Sequence, residues 1–465
     1  MRLLLAAVSA LTLSACAVGP NYVAPATRPV AAAPFVSTSV AATPAAAIDG
    51  DWWRLYNDPL LDRLVADALT ANTDIRVAVA RLERALASLH EVRANRTPQI
   101  NVGGSAQYGR LPGAQRAPGA DRENWNVDTG LDVAYEVDLF GRISRNIEAA
   151  TGDVGAAEAD ANAVRVAVAA ETARAYADAA SSAERLGVAQ RIVDLLDRSV
   201  TLMKKREAAG LQTPLDTARI AALRDQRAAD IPSLQAQRQS ALFRLATLTG
   251  RAPQELPSEV AARTTTLKLD TPIPVGDGQA LLARRPDVHA AERRLAAATA
   301  RIGVATADLY PRITLGGSVG SSGSGFGNLF GANPLTWLLG PLVNWSINQG
   351  PARARIAGAE ADSKAALATF DGTVLNALEE TETALTVYAR ALERRAALQS
   401  ATDAAETAAR ITRARQREGQ VDSLELLDAE RTLADAQASL AAADAAISRA
   451  QVDLFRALGG GWQKA

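Results

Sequence analysis

Apolar and polar residues alternate from Trp125 to Leu139. Trp125, Val127, Thr129, Leu131, Val133, Tyr135, Val137 and Leu139 take one side, and Asn126, Asp128, Gly130, Asp132, Ala134, Glu136 and Asp138 the other. A period of two predicts a strand with one apolar and one polar face. Ile100, Val102 and Tyr108 predict its hairpin partner, with "LPGAQRAPGADREN" as the loop, so the pair spans about 99–139. A second pair is predicted at about 312–348, inside the 40 charge-free residues from Ile313 to Ala352. Pro334, Gly340 and Pro341 argue against a membrane-crossing helix over Leu329 to Ile347. The "GGSVGSSGSGFG" segment lacks the Lys-Ser/Thr that completes a phosphate loop.

Elsewhere the pattern is helical. No proline occurs from Ser144 to Ala209 or from Ala352 to Glu418. At 1.5 Å per residue each run makes a helix roughly 100 Å long, far beyond an ordinary globular helix. Leu426, Leu433, Leu440, Ile447 and Leu454 recur every seven residues, with Ala429, Ala436, Ala443, Ala450 and Ala457 three positions later. Large and small residues in heptad register predict closely approaching, left-handed coiled-coil helices. The long helices are predicted at about 144–250 and 352–458.

The chain is also written twice. "LTANTDIRVAVARLERALASLHEVRANRTP" ends at Pro98, and "LARRPDVHAAERRLAAATARIGVATADLYP" ends at Pro311. At one offset Asp74 matches Asp287, Arg81 matches Arg294 and Leu82 matches Leu295. At another, Gly210 matches Gly419, Leu245 matches Leu454 and Gly250 matches Gly459. Each half reads helix, strand pair, very long helix, break at glycine, second helix. The first half is assigned to residues 51–270 and the second to residues 271–465.

Residues 1–15 read as a signal peptide: Arg2 is basic, Leu3 to Leu13 is apolar, and the segment is too short to span a bilayer. It ends in Leu13-Ser14-Ala15-Cys16, which resembles a lipobox, so Cys16 is expected to carry diacylglycerol and an N-acyl lipid. Ala17, which is not acidic, fits sorting to the outer membrane. Residues 16–50, rich in Pro, Ala, Thr and Ser, read as an extended, lipid-anchored linker.

Composition narrows the functions. Lys and Arg total 50 and Asp and Glu total 51, so no basic excess exists for a nucleic-acid partner. Cys16 is the sole cysteine, and His90 and His289 are far apart. No Ser/His/Asp arrangement, paired-carboxylate site or metal-ligand spacing stands out, so no enzyme and no metal or cofactor is expected beyond the lipid.

Strands of this length suit a tilted membrane span, and only closed barrels satisfy backbone groups in lipid. Four strands cannot close, whereas three copies supply twelve. The bland alternative is a soluble four-stranded sheet with its polar face wetted. At the far ends of the long helices, Gly210 precedes Thr213-Pro214-Leu215-Asp216, and Gly419 precedes Asp422-Ser423-Leu424-Glu425. Both read as helix N-caps with an acid three residues on, and Pro214 suits the first helical position. Capping therefore accounts for Asp216 and Glu425. It does not account for Asp428, whose counterpart at the same offset from the glycine is Arg219. Charges ringing a mouth hold it shut or select ions.

The sequence resembles the TolC-like outer-membrane efflux factors, specifically the lipoprotein branch serving resistance-nodulation-division pumps. The motifs are Cys16 with "VGPNY", "WWRLYNDPLLDRLV" at Trp52–Val65, "YEVDLFGR" at Tyr135–Arg142, "LLARRPDVHAAERRLAAATARIGVA" at Leu281–Ala305, "LYPRITLGGSVG" at Leu309–Gly320 and "LLDAERTL" at Leu426–Leu433. The resemblance implies an α+β membrane protein: a homotrimer with a twelve-stranded barrel, four strands per protomer, above a periplasmic α-helical coiled-coil barrel. It implies a passive exit duct for small toxic molecules or drugs. A periplasmic adaptor protein, an inner-membrane resistance-nodulation-division pump and outer-membrane lipid would be its partners. It places Glu425, Asp428 and Asp216 in the periplasmic gate. Some relatives have a basic residue where Val421 stands; Arg417, Arg415 or Arg219 are the substitutes here. The alternatives are a duct for type I protein secretion, or a lipid-anchored coiled-coil scaffold without a pore.

Overall fold

The structure, a computed structural model, describes residues 17–26, 29–37, 42–43, 50–110, 112, 121–269, 271–327 and 335–460. The signal peptide, Cys16 and part of the linker read over residues 16–50 lie outside the described residues.

The helices in chain order are α1 (Pro59–Ala71), α2 (Thr73–Ala94), α3 (Arg142–Ala208), α4 (Pro214–Ala228), α5 (Asp230–Leu248), α6 (Ser258–Ala262), α7 (Gly278–Arg284), α8 (Pro286–Ala307), α9 (Gly350–Arg417) and α10 (Ser423–Ala457). The strands are β1 (Ala42–Thr43), β2 (Gln99–Arg110), β3 (Glu123–Val137), β4 (Ile273–Pro274), β5 (Arg312–Ser324) and β6 (Leu335–Asn344). The duplication shows in the bounds. Helices α2 and α8 have 22 residues each. Their starts lie 213 apart (286 − 73), as do those of β2 and β5 (312 − 99), while α4 and α10 start 209 apart (423 − 214).

The chain folds into two compact units, and neither is a sequence half. The first comprises Met1–Pro25, Arg81–Glu158 and Ala290–Asp371; the second comprises Ala26–Ala80, Ala159–His289 and Gly372–Ala465. The first unit holds an antiparallel sheet of order β2-β3-β5-β6. Its register runs Gln99 opposite Ala134, Val137 opposite Ile313 and Arg312 opposite Asn344. Strands β2 and β6 each have one neighbour among the described residues. Both carry exposed apolar side chains: Val102 is 81% exposed, Trp337 74% and Leu339 77%. An edge strand is also where Pro341, with no N–H to give, is tolerated.

The alternating pattern overruns the first hairpin by two residues. Strand β3 ends at Val137, because Asp138 turns to cap α3: its carboxylate accepts from the N–H groups of Ile143 (2.9 Å) and Ser144 (2.8 Å). The second helix read in the first half is also interrupted. Its stretch divides into α4 and α5 at Ala229. Pro232 lacks the N–H that a continuous helix directs at the carbonyl of residue 228, and its ring crowds that carbonyl. No proline falls within α10, which runs 35 residues unbroken.

The residues after Cys16 are tied to the first unit. The Val18 N–H donates to the Phe140 carbonyl (3.2 Å). The Arg145 guanidinium donates to the Asn21 side chain (2.6 Å) and the Val18 carbonyl (3.2 Å). Gly19 has a φ of +88°, and a Cβ there would lie 2.5 Å from the Gly303 Cα, so only glycine lets the two backbones meet. The second unit has an aromatic core: Trp52 stacks on Phe455 with centroids 4.5 Å apart and planes at 16°. Asp58 caps α1 and also accepts from the Tyr176 hydroxyl (3.0 Å) and from Arg263. No helix among the described residues is long and apolar enough to cross a membrane.

Candidate gate at the helix tips

Both long helices end by the same physics. Gly210 (φ +70°) and Gly419 (φ +73°) adopt the left-handed conformation. The next residue's N–H then reaches back to an orphan carbonyl: Leu211 to Arg206 (2.9 Å), and Gln420 to Arg415 (2.9 Å). Lys205 and Arg206 occupy the last turn of α3, and Arg415 and Arg417 that of α9, where cations complement the helix dipole.

The helices that follow start differently. Thr213 caps α4 through a full capping box: its hydroxyl accepts from the Asp216 N–H (3.3 Å), and the Asp216 carboxylate accepts from the Thr213 N–H (3.4 Å). The Thr213 hydroxyl also donates to Asp216 Oδ2 (2.7 Å), and Gln212 Nε2 donates to the same oxygen (3.3 Å). These bonds, the Thr213 hydroxyl's first among them, hold the Asp216 carboxyl below the usual carboxylate range, with a smaller contribution from the Arg219 charge. In the second turn Asp422 caps α10, its carboxylate accepting from the Glu425 N–H (2.9 Å). The reciprocal bond from the Glu425 carboxylate is not made. The capping box thus engages the Asp216 carboxylate, while the Glu425 carboxylate stays outside the Asp422 cap. Glu425 and Asp428 are both exposed, and among the described residues their carboxylates accept none of the hydrogen bonds at the tip, where Glu425 takes part only through its N–H. They flank Leu426, which is buried with Val200, Met203 and Ile220. Arg219 is exposed one turn beyond Asp216.

The two turns are joined by residues that carry no sequence motif. Gln212 Nε2 donates to Ser423 Oγ as well as to Asp216, and Ser423 Oγ lies 3.8 Å from the Met203 sulfur. Within the chain, Gln212 thus bridges Asp216 to the second turn. Deeper in the α9–α10 hairpin, Glu430 is 2% exposed and accepts a two-pronged pair of bonds from Arg413, at 2.5 and 2.7 Å. Those bonds keep the Arg413 guanidinium protonated above its usual range. Residues 413 and 430 are near-mirror positions about the turn at Gly419–Asp422, the one signal that could have paired them from sequence.

Comparison with known proteins gives a consistent result. The model of the family described as "Outer membrane efflux protein" matches residues 64–251 and 278–460. The chain is 34% identical to the outer membrane protein OprJ of Pseudomonas aeruginosa over 460 residues, covering 98% of this chain and 95% of OprJ. It is 30% identical to the antibiotic efflux pump outer membrane protein ArpC of Pseudomonas putida, covering 99% of this chain and 96% of ArpC. The solved outer-membrane channel OprN superposes with a TM-score of 0.90 at 38% identity, covering 97% of this chain and all of OprN. Open-edged strand pairs, duplicated coiled-coil helices and these matches agree: the chain belongs to the outer membrane efflux protein family and is an outer-membrane efflux channel of the TolC-like fold.

Proposed function

We propose that three copies of this chain assemble into a lipid-anchored duct. It receives small toxic molecules from an inner-membrane resistance-nodulation-division pump through a periplasmic adaptor and releases them outside. The observation that carries this reading is the four-stranded sheet with two unpaired edges and exposed apolar side chains. In lipid each unpaired backbone group costs several kcal/mol, so the edges require neighbours. Twelve strands from three copies close a barrel, and the duct does no chemistry of its own. A lipid on Cys16 belongs to this reading; the neighbouring Ala17 lies against Gly141, where β3 passes into α3.

The helix tips are the gate in this reading. Glu425 and Asp428 stand unengaged in each copy, so closing three copies around one axis brings like charges together. Closure is then a small balance that a docked adaptor tips open. Arg219 contributes the opposite charge, and Gln212 ties the two turns of one copy by bonding to both Asp216 and Ser423.

Single-channel recording of the purified, lipidated protein tests this. A trimer is expected, with higher conductance for E425A/D428A than for the parent. Unchanged conductance in an intact trimer removes these acids from the gate. A water-soluble monomer removes the duct.

A further inference from the structure

The helix-side end of the sheet holds a charged cavity of about 250 Å³ within the first compact unit. Its charged lining is Glu136, Asp138, Arg142, Asp308, Arg312 and Arg355, three acids against three arginines. Asp138 is occupied in capping α3. Glu136 and Arg142 engage each other in two bonds of 2.7 and 2.6 Å. Arg312 is different: its guanidinium stands 3.9 Å from Glu136 and 3.8 Å from Asp308, beyond hydrogen-bond reach of either. Arg355 approaches the other Asp308 oxygen at 3.1 Å with its side chain 63% exposed. Donors and acceptors of both signs thus face one space without saturating one another.

The surroundings mark this as a membrane interface, given the reading of the sheet as spanning. Trp337, Leu339 and Leu342 of β6 are exposed apolar residues. Past the end of β6, Trp345 is half-exposed, and its Nε1–H donates to the Leu309 carbonyl (3.0 Å). Phe140 and Tyr310, which line the cavity, stack with centroids 4.5 Å apart. Aromatic side chains of this kind sit at headgroup level.

Net charge selects the ligand. A simple anion would meet Glu136 and Asp308 along with the arginines, and a simple cation the reverse. A zwitterion satisfies both. We propose that the cavity binds the phosphoethanolamine headgroup of a membrane lipid, its phosphate on Arg312 and Arg355 and its ammonium on Asp308 and Glu136. A primary ammonium has three N–H donors for those carboxylates; the trimethylated ammonium of choline has none, so phosphocholine should be refused.

Native mass spectrometry of the full-length lipidated protein in detergent tests this, with dioleoyl-phosphatidylethanolamine, -phosphatidylcholine and -phosphatidylglycerol offered separately. The parent protein should retain the ethanolamine lipid at least fivefold over either other. R312Q/R355Q should lose that preference, and D308N should shift it towards phosphatidylglycerol. Equal retention of the three lipids, or an unaltered preference in R312Q/R355Q, overturns the proposal. If R312Q/R355Q does not assemble, competition on the parent protein decides: displacement of lipid by glycerophosphoethanolamine but not glycerophosphocholine supports the site, and no displacement overturns it. An intact conducting trimer without lipid preference rejects this site alone, whereas absence of a trimer rejects the membrane reading on which it rests.

Discussion

The two tip turns share glycine, cap and following acid, yet they use the acid differently. In the first turn the cap is a neutral threonine, and Asp216 completes the box by bonding back to it. In the second the cap is Asp422, itself charged, and the Glu425 carboxylate is left out. One copy of a duplicated motif is therefore structural, and the other is free to act on a neighbour. The helices behind the turns diverge too: α4 and α5 break near Pro232, while α10 is continuous and pinned to α9 by the buried Arg413–Glu430 pair.

That contrast can be broken at several strengths. The largest effect is expected at the pin. E430A leaves Arg413 uncompensated and should cost about 3 kcal/mol, the low end for a buried pair because Arg413 reaches solvent. R413M/E430M should restore most of it, as measured by the thermal midpoint of the trimer; no loss in E430A removes the pin. Next come the caps. T213A and D422A should each cost about 1 kcal/mol, read as faster amide exchange at Asp216 in the first variant and Glu425 in the second. Equal exchange at both sites in either variant means the turns are not independent. E425A/D428A should move stability by less than about 0.5 kcal/mol, as exposed substitutions do, while altering conductance. A large stability loss would make these acids structural after all. The smallest effect concerns pH. The folded Asp216 carboxyl titrates below its unfolded value, so its contribution is present above that unfolded value and lost as pH falls through the folded one. Protection of the first turn should decline on acidification in the parent and not in D216N; identical profiles would remove Asp216 from the box.

Much of this was legible in the chain because the signals are local. A period of two, a heptad of leucine and alanine, and glycine followed by a cap each act within a turn or strand of backbone. Pro232 was equally local, but a single proline in the first turn of a helix is compatible with continuing or restarting, so only the packed chain chose. Gln212, Ser423 and the Arg413–Glu430 pair were not legible. Such polar residues have the composition of any solvated helix face, and only their partners distinguish them.

By itself the sequence determined the repeating order of elements, the open-edged strands and the places where helices must stop. These follow from side-chain spacing and backbone permission at single residues. Tertiary structure decided how the halves are shared between two compact units, which of two similar acids is consumed in a cap, and which arginine meets a buried glutamate. Those outcomes depend on distances between residues far apart in the chain, and no spacing along the sequence sets them.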